Sequence, residues 1–316
     1  MPQTIKKTEI IKQKAKDLGF SACGISHAGF LAEEKTAFEK WLAGQYHGEM
    51  TYMERNSAKR LDPTLLVDNA KSVISVLLNY FSEEKQEDPT APVLSKYAYG
   101  TDYHLVMKNK LYELLIFIQN EVAPCQGRAF TDSAPVLDRA WAARAGLGWI
   151  GKNTNLISAE YGSFFFIGEL IVDLELEPDN KPVRNHCGNC TRCIDVCPTG
   201  AIVEPYILDA RKCISYQTIE KKGDPDSSLK GKFKNRVFGC DICQDVCPWN
   251  LKSAPHQVPE FRPHPDLLKM KTEDWEQMDK NRFDDIFRDS AVKRTGFDGL
   301  KRNLEFIHLS DPESTA

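Results

Sequence analysis

The sequence predicts a mixed fold of class α+β/α/β in three parts. Three observations predict it: β-branched and aromatic runs alternating with helical periodicity over 1–177, a cysteine-dense stretch over 178–255, and a Pro-, Asp- and Lys-rich tail over 256–316. A chain of 316 residues has room for one large core and a smaller module. The opening MPQTIKKTEIIKQKAKDLGF reads as an amphipathic helix with Ile11, Ala15 and Leu18 on one face. It lacks the apolar h-region of a signal peptide, so a cytoplasmic protein is expected. Ser72 to Tyr80 and Phe164 to Leu174 suit buried strands and imply a sheet. Between them, His104 to Val122 and Asp138 to Gly146 repeat apolar residues at helical spacing. The polar text from Glu177 to Arg184, with two prolines, marks a boundary before the cysteines. In the tail, Thr272 to Met278 and Asp298 to Ile307 are short helical patches with little core of their own.

Composition narrows the function classes. Apolar residues at 41% with 27% charged fit a globular protein and exclude wholesale disorder. No run approaches the roughly 20 apolar residues of a membrane span; even Phe164 to Val172 is broken by Glu169. A net charge of -4 gives no global attraction to nucleic acid, so such binding requires a local basic surface. In a reducing cytosol, ten cysteines with eight crowded between Cys187 and Cys247 point to metal rather than disulfides.

The segment Cys187-G-N-Cys190-T-R-Cys193-I-D-V-Cys197-Pro198 has the C-x2-C-x2-C-x3-C-P spacing of bacterial two-cluster ferredoxins. Its fourth cysteine reaches the neighbouring cluster, so the pattern demands a second set. That set is Cys213 followed by Cys240-D-I-Cys243-Q-D-V-Cys247-Pro248, with an insertion pushing the first cysteine upstream. The crossover rule assigns one 4Fe-4S cluster to Cys187, Cys190, Cys193 and Cys247, and the other to Cys197, Cys213, Cys240 and Cys243. Zinc knuckles are the competing reading, but they seldom carry the triple spacing followed by Cys-Pro. Cys23 and Cys125 lie outside any motif and read as small buried hydrophobes; His186 reads as a loop residue near a cluster.

Two clusters form a wire for single electrons, and the wire needs a terminus. Gly146-Leu147-Gly148-Trp149-Ile150-Gly151 matches G-x-G-x-x-G, yet it follows a helical stretch rather than a strand, which argues against a dinucleotide site. No P-loop is present. The D-x-H-x-x-G loop that supplies a lower histidine to cobalamin is missing too, since Asp102-Tyr103-His104 continues Leu-Val-Met. Any cobalamin here would be bound without that ligand.

The strings Tyr97-A-Tyr99-Gly100-T-Asp102-Tyr103-His104, Asp132-S-A-Pro135-V-L-Asp138-Arg139 and AGLGWIGKNT (Ala145 to Thr154), with the dicluster ending in Cys-Pro-Trp at Cys247 to Trp249, resemble the epoxyqueuosine reductases over nearly the whole chain. The resemblance implies a cytoplasmic enzyme of tRNA queuosine synthesis that reduces a cyclopentane epoxide to an alkene. It also implies an N-terminal cobalamin domain similar to reductive dehalogenases, and two 4Fe-4S clusters that reduce cob(II)alamin toward cob(I)alamin. Cobalamin is then expected base-off, with no protein histidine ligand. The family's proton donor, the aspartate of a D-x-x-P motif, falls on Asp132, and a pocket closed by the corrin would keep it protonated. The plainer reading makes Asp132 a turn or cap residue. This chain has Asp132-Ser-Ala where Asp-Thr-Gly is expected, which leaves the acid in place and puts the local turn in doubt.

Tyr103 and His104 are candidates for a second acid or for orienting the substrate, though such residues at a helix start also serve packing and capping. Tyr97, Asp132, Lys152, Asn153 and Ser158 are candidate cobalamin contacts, and Trp141, Trp149 and Tyr99 are flat groups that could pack on a corrin. In the insertion, Lys221, Lys222, Lys230, Lys232, Lys234 and Arg236, with Phe233 among them, form the best tRNA candidate: basic groups take phosphates and an aromatic takes a splayed base. A solvated basic loop is the plainer alternative. Lys293, Arg294, Lys301 and Arg302 would extend the surface. A tRNA carrying epoxyqueuosine and an external low-potential electron donor are the expected partners. The competing functions are a corrinoid reductase of a small molecule and a non-catalytic dicluster electron carrier.

Overall fold

The N-terminal amphipathic pattern forms α1 (Gln3–Asp17), which buries Thr8, Ile11 and Ala15. This computed structural model describes residues 3–179 and 183–308, so the expected boundary falls partly on residues outside it, as do the last eight of the tail. There follow β1 (Ala22–His27), α2 (Ala32–Ala43), α3 (Ser57–Leu61), β2 (Ser72–Asn79) and the short β3 (Val93–Leu94). Next come α4 (Tyr103–Phe117), prolonged by a π-helical turn over Ile118–Val122, then β4 (Gly127–Phe130) and α5 (Asp138–Arg144). A tight hairpin of β5 (Trp149–Ile150) and β6 (Leu156–Ile157) leads to β7 (Phe165–Val172).

Four strands form the central sheet in the order β1-β2-β7-β4, with every pair antiparallel. The mixed class is thus built on an antiparallel sheet, although its runs SVISVLLN and FFIGELIV lack the alternation that usually marks one. The reason is burial on both faces. Ile25, Ile74, Val76, Leu170 and Val172 meet the layer of α1 and α4. Val73, Phe130 and Ile171 meet Leu31, Phe38, Leu61 and Trp141 of the opposite layer. Apolar side chains are therefore required at successive positions.

The glycine-rich segment after α5 turns tightly. A Cβ on Gly148 would stand 2.2 Å from the Ile157 carbonyl oxygen, so this glycine serves the hairpin's close packing and not a phosphate.

The cysteine module holds α6 (Arg192–Asp195), β8 (Ile202–Glu204), β9 (Ile207–Leu208), α7 (Ile214–Ile219), β10 (Arg236–Phe238) and α8 (Ile242–Asp245). β10 pairs in parallel with β3, which ties the insertion to the N-terminal part. The tail supplies α9 (Thr272–Glu276), α10 (Lys280–Ile286) and α11 (Gly296–His308). Its apolar residues do not stand apart: Trp275, Phe283, Phe287, Val292 and Leu300 share one core with Leu94, Tyr99, Phe233 and Phe238.

Gly24 on β1 lies under the end of α5, where an added Cβ would be 2.3 Å from the Ala145 carbonyl oxygen. Gly24→Ala is expected to cost about 2 kcal/mol or more by overpacking, read from urea denaturation. A loss below about 0.5 kcal/mol would show that the helix yields easily.

Candidate active site and cluster module

Asp132 follows the end of β4 in a left-handed conformation, φ 51°. It caps no helix. It is solvent-exposed, and its Oδ2 accepts a hydrogen bond from the Tyr103 hydroxyl. Tyr103 opens α4, whose N-cap Asp102 accepts the His104 N–H at 3.0 Å. The Tyr103 ring stacks on Phe166 of β7, centroids 4.2 Å apart and planes 3° from parallel, and also on His104 at 4.1 Å. Tyr97 meets Tyr103 edge-on at 6.0 Å. Burial, with the Asp132 charge adding to it, holds the Tyr103 hydroxyl well above the ordinary tyrosine range, so it remains a donor to Asp132. His104 turns its Nδ1 to Asp102, 2.7 Å from Oδ1.

Behind Asp132 lie two carboxyls, Asp138 at the start of α5 and Glu169 within β7, both raised above the carboxylate range by burial. Arg60 and Arg139 face the same group, their charges acting on Asp138 and Asp132. Desolvation holds the Arg139 guanidinium below its ordinary value, with the Asp138 and Asp132 charges opposing it. Its Nη1 donates to the Thr154 carbonyl and lies 3.2 Å from Thr154 Oγ1. Two residues back, Lys152 Nζ donates to the carbonyls of Gly188 at 2.6 Å and Cys190 at 3.0 Å. The chain of contacts thus runs from Asp132 through the 151–155 turn to the first cysteines.

The remaining cofactor candidates fall as follows. Asn153 is buried with its Nδ2 lacking a partner, while its Oδ1 accepts from the Asn155 N–H. Ser158 spends its hydroxyl on the N–H groups of Glu160 and Tyr161. Trp141 and Tyr99 are core residues. Trp149 packs edge-on to Trp249 at 5.0 Å and to His186 at 5.1 Å, beside Cys187 and Cys247.

All ten cysteines are free thiols. Cys193 is raised by burial and then by Cys187, Cys247 and Cys190, and Cys247 by burial and then by Cys187 and Cys190. Cys240 is pushed up to about 12 by burial with Cys213 beside it. Burial raises Cys243 furthest, with Cys213, Cys240, Cys197 and then Cys193 following. Two neighbourhoods of four thiols therefore adjoin at Cys193 and Cys243. Among the described residues no three His, Cys, Asp or Glu side chains close on a single ion position; a cube that offers one iron to each of four thiolates asks for a wider set. Desolvation holds Cys193, Cys213, Cys240, Cys243 and Cys247 above the ordinary thiol range, and a cationic metal core would favour their thiolate form.

The module is fastened beside β7. Ser163 donates its N–H to Asn250 Oδ1 at 2.6 Å, Gln244 Nε2 donates to the Ser163 carbonyl at 3.0 Å, and Asn250 Nδ2 donates to the Gln244 carbonyl at 2.7 Å. A groove of about 740 Å³ passes Lys96, Tyr99, Phe164, Arg236 and Cys240. Asp132 is not on its wall, so its size does not make it the catalytic site.

In the insertion, Lys222, Lys230, Lys232 and Lys234 are exposed. Lys221 pairs with Glu49, and Arg236 donates to the Lys234 carbonyl at 2.9 Å. Phe233 corrects the sequence reading: it is 2% exposed, packed 4.7 Å from the Phe306 ring, and offers no face to a base. Of the tail residues, Arg294 pairs with Glu220 at 2.7 Å and Arg302 donates to the carbonyls of Lys221 and Gly223, leaving Lys293 and Lys301 exposed. Sequence reasoning assigned no role to Arg60, Asp138, Arg139 or Glu169. Glu169 had one visible signal, a charge inside an apolar strand.

Residues 60–133 match the family model described as "Epoxyqueuosine reductase QueG, DUF1730", and residues 186–250 that of a 4Fe-4S double cluster binding domain. The chain is 58% identical to an epoxyqueuosine reductase of Cellulophaga algicola, over 96% of this chain and 98% of that one. It is 42% identical to one of Pseudomonas aeruginosa, over 99% and 88%. A solved epoxyqueuosine reductase with an epoxyqueuosine-modified tRNA stem loop superposes with a TM-score of 0.87 at 31% identity, covering 95% of this chain and 80% of that chain. The Bacillus subtilis enzyme, solved with its catalytic loop swung out of the active site, gives 0.86 at 30% over the same shares.

Cys213→Ser is expected to lower bound iron to about half by removing one ligand of one cube. Iron retained in full in the anaerobically purified variant would show that Cys213 is no ligand.

Proposed function

The chain belongs to the epoxyqueuosine reductase family, and on that premise we propose that Asp132 protonates the leaving oxygen as the epoxide of epoxyqueuosine is reduced to the alkene of queuosine at the tRNA wobble position. It is an oxidoreductase with two 4Fe-4S clusters. The observation that carries the proposal is the exposed Asp132 carboxyl, gripped by a buried Tyr103 hydroxyl and facing the Arg139 charge. The overall change takes the epoxide oxygen away as water, consuming two electrons and two protons, and breaks both carbon–oxygen bonds. Tyr103 orients the acid, and the Phe166 stack keeps Tyr103 from turning.

The clusters pass electrons singly. Cys187, Cys190, Cys193 and Cys247 hold one and Cys197, Cys213, Cys240 and Cys243 the other, a reading supported by the two thiol neighbourhoods. Cobalamin, when bound, supplies a centre that gathers both electrons and meets the epoxide carbon. The residues present fit such a group. The Asn153 amide is a buried donor without a partner, and Arg139 is a desolvated cation. We assign Tyr97, Asn153 and Arg139 to holding it. Lys152 steadies the 151–155 turn against the cluster loop, and Ser158 shapes the following turn. His104 holds Asp102 through Nδ1, which fixes its ring at the start of α4.

The exposed Lys222, Lys230, Lys232 and Lys234 are assigned to tRNA phosphates, which need a local cluster of charge and no net positive protein. An external low-potential donor reduces the clusters. Among the described residues no helix is long and apolar enough to cross a membrane, and work on tRNA places the enzyme in the cytoplasm.

Asp132→Asn is expected to cut turnover of an epoxyqueuosine-bearing stem loop by about 10²–10⁴-fold while iron content and stem-loop affinity hold. Turnover within a few-fold of the parent would remove Asp132 as the donor. Replacing Lys230, Lys232 and Lys234 together by Ala is expected to weaken stem-loop binding and to flatten its log–log salt dependence by about 2 to 3 units. Unchanged affinity and slope would make the insertion a solvated loop.

A further inference from the structure

Glu169 is fully buried, 0% exposed, in the middle of β7. Its cross-strand neighbours are Phe130 of β4 and Ser75 of β2, and α5 covers that face of the sheet. Neither Glu169 oxygen nor Asp138 Oδ1 meets a conventional donor, and the Ser75 hydroxyl is buried without a partner as well. The two carboxyls nevertheless act on each other as a pair, each shifting the other. Two carboxylates have no hydrogen to offer, so this contact requires a proton between them. The Asp132 backbone N–H faces the Asp138 carboxyl and lowers it.

We propose that Asp138 and Glu169, sharing one proton, form a latch beneath the catalytic loop: Asp138 holds the Asp132 backbone and Glu169 supplies the proton that lets the two carboxyls lie together. Both are positioning residues that act through Asp132, and the inference rests on the reading of Asp132 as proton donor. The charged groups facing the pair are Asp132 from the loop, Arg139 from α5 and Arg60 from α3. Neither arginine hydrogen bonds to the pair: Arg60 donates to the Tyr52 and Ala134 carbonyls, and Arg139 to Thr154. When the shared proton leaves, two buried carboxylates repel each other and Asp132, and the loop loses its hold.

The sign follows. Burial raises Asp138 to about 6 and Glu169 well above its ordinary value. Carboxyls raised on folding stabilise the protein at low pH and lose that contribution as pH rises through the raised values. The test is Glu169→Gln, whose amide N–H stands in for the shared proton at the same shape. Two curves are read against pH from 6 upward: the thermal midpoint of the purified protein, and kcat of the cobalamin-loaded, reduced enzyme on an epoxyqueuosine-bearing stem loop.

In the parent both are expected to fall as the pair ionises. In Glu169→Gln the fall in midpoint is expected to flatten, and the alkaline limb of kcat to move up by about one pH unit or more. Superimposable parent and variant curves in both measurements would overturn the latch. Asp138→Asn leaves a single ionisable carboxyl in the pair and serves with the same outcomes if the first variant does not fold. Asp132→Asn separates the two readings. If Asp132 is the donor it loses turnover but keeps the parental fall in midpoint, so the donor role and the latch fail independently.

Discussion

The register of β7 against β2 is the constraint on which the site depends. Eight residue pairs, from Ser72 opposite Val172 to Asn79 opposite Phe165, set which side chains of β7 face which layer. A slip of one residue would reverse every one of them. Phe166 faces the α4 layer and forms the floor under Tyr103, while Glu169 faces the α5 layer and meets Asp138. Tyr103 and Asp138 then reach Asp132 from opposite layers, one by its hydroxyl to the side chain and one by its carboxyl to the backbone. Just before the strand, Ser163 binds Asn250 and Gln244 of the cysteine module. The proposed proton donor and the cysteine module are thereby referenced to one strand.

The cysteine module gains its rigidity in a different way. Its helices are short and its strands pair over two or three residues, so regular structure contributes little. Buried polar groups from the flanks take over. Asn250, Gln244 and Ser163 satisfy one another, and Asp241 accepts from the Ser95 hydroxyl and from the Lys96 N–H at 2.8 Å. A fully satisfied buried network of this kind specifies one arrangement, because any displacement strands a polar group away from water. The thiols stand beside this network, and it is there that metal adds its binding energy to the fold.

The parts of this design legible in the sequence are those encoded by local spacing. The cysteine runs, the helices at Tyr103 and Asp138 and the two long strands each announce themselves within a dozen residues. The antiparallel pairing did not, because burial on both faces erased the alternation that distinguishes it. Phe233 was misread because its partner, Phe306, comes from the C-terminal helix. An aromatic among lysines has the same local text whether it faces a base or a core. The carboxyl pair was hidden for a related reason. Asp138 and Glu169 lie on different elements, and only the sheet brings them together; Glu169 showed itself merely as a break in an apolar run. The arginines about Asp132, Arg60 and Arg139, come from two separate segments, so no spacing could have gathered them.

The two competing functions can be weighed against the backbone of Asp132. A left-handed conformation in a residue other than glycine costs roughly 1 kcal/mol, and this one persists because Tyr103 and Asp138 hold it from both sides. A protein that only carried electrons would have no use for an exposed carboxyl so fixed. Its clusters would need a docking face and nothing further. A reductase of small molecules would use the carboxyl but not the exposed lysines of the insertion, whose backbone is anchored by a buried Phe233 while Lys230, Lys232 and Lys234 project to solvent. A hydrophobic anchor under a row of solvated cations presents charge at a fixed place, as a backbone of phosphates requires. The oriented acid and the anchored basic insertion together are accounted for by reduction of a nucleotide that is still part of its tRNA.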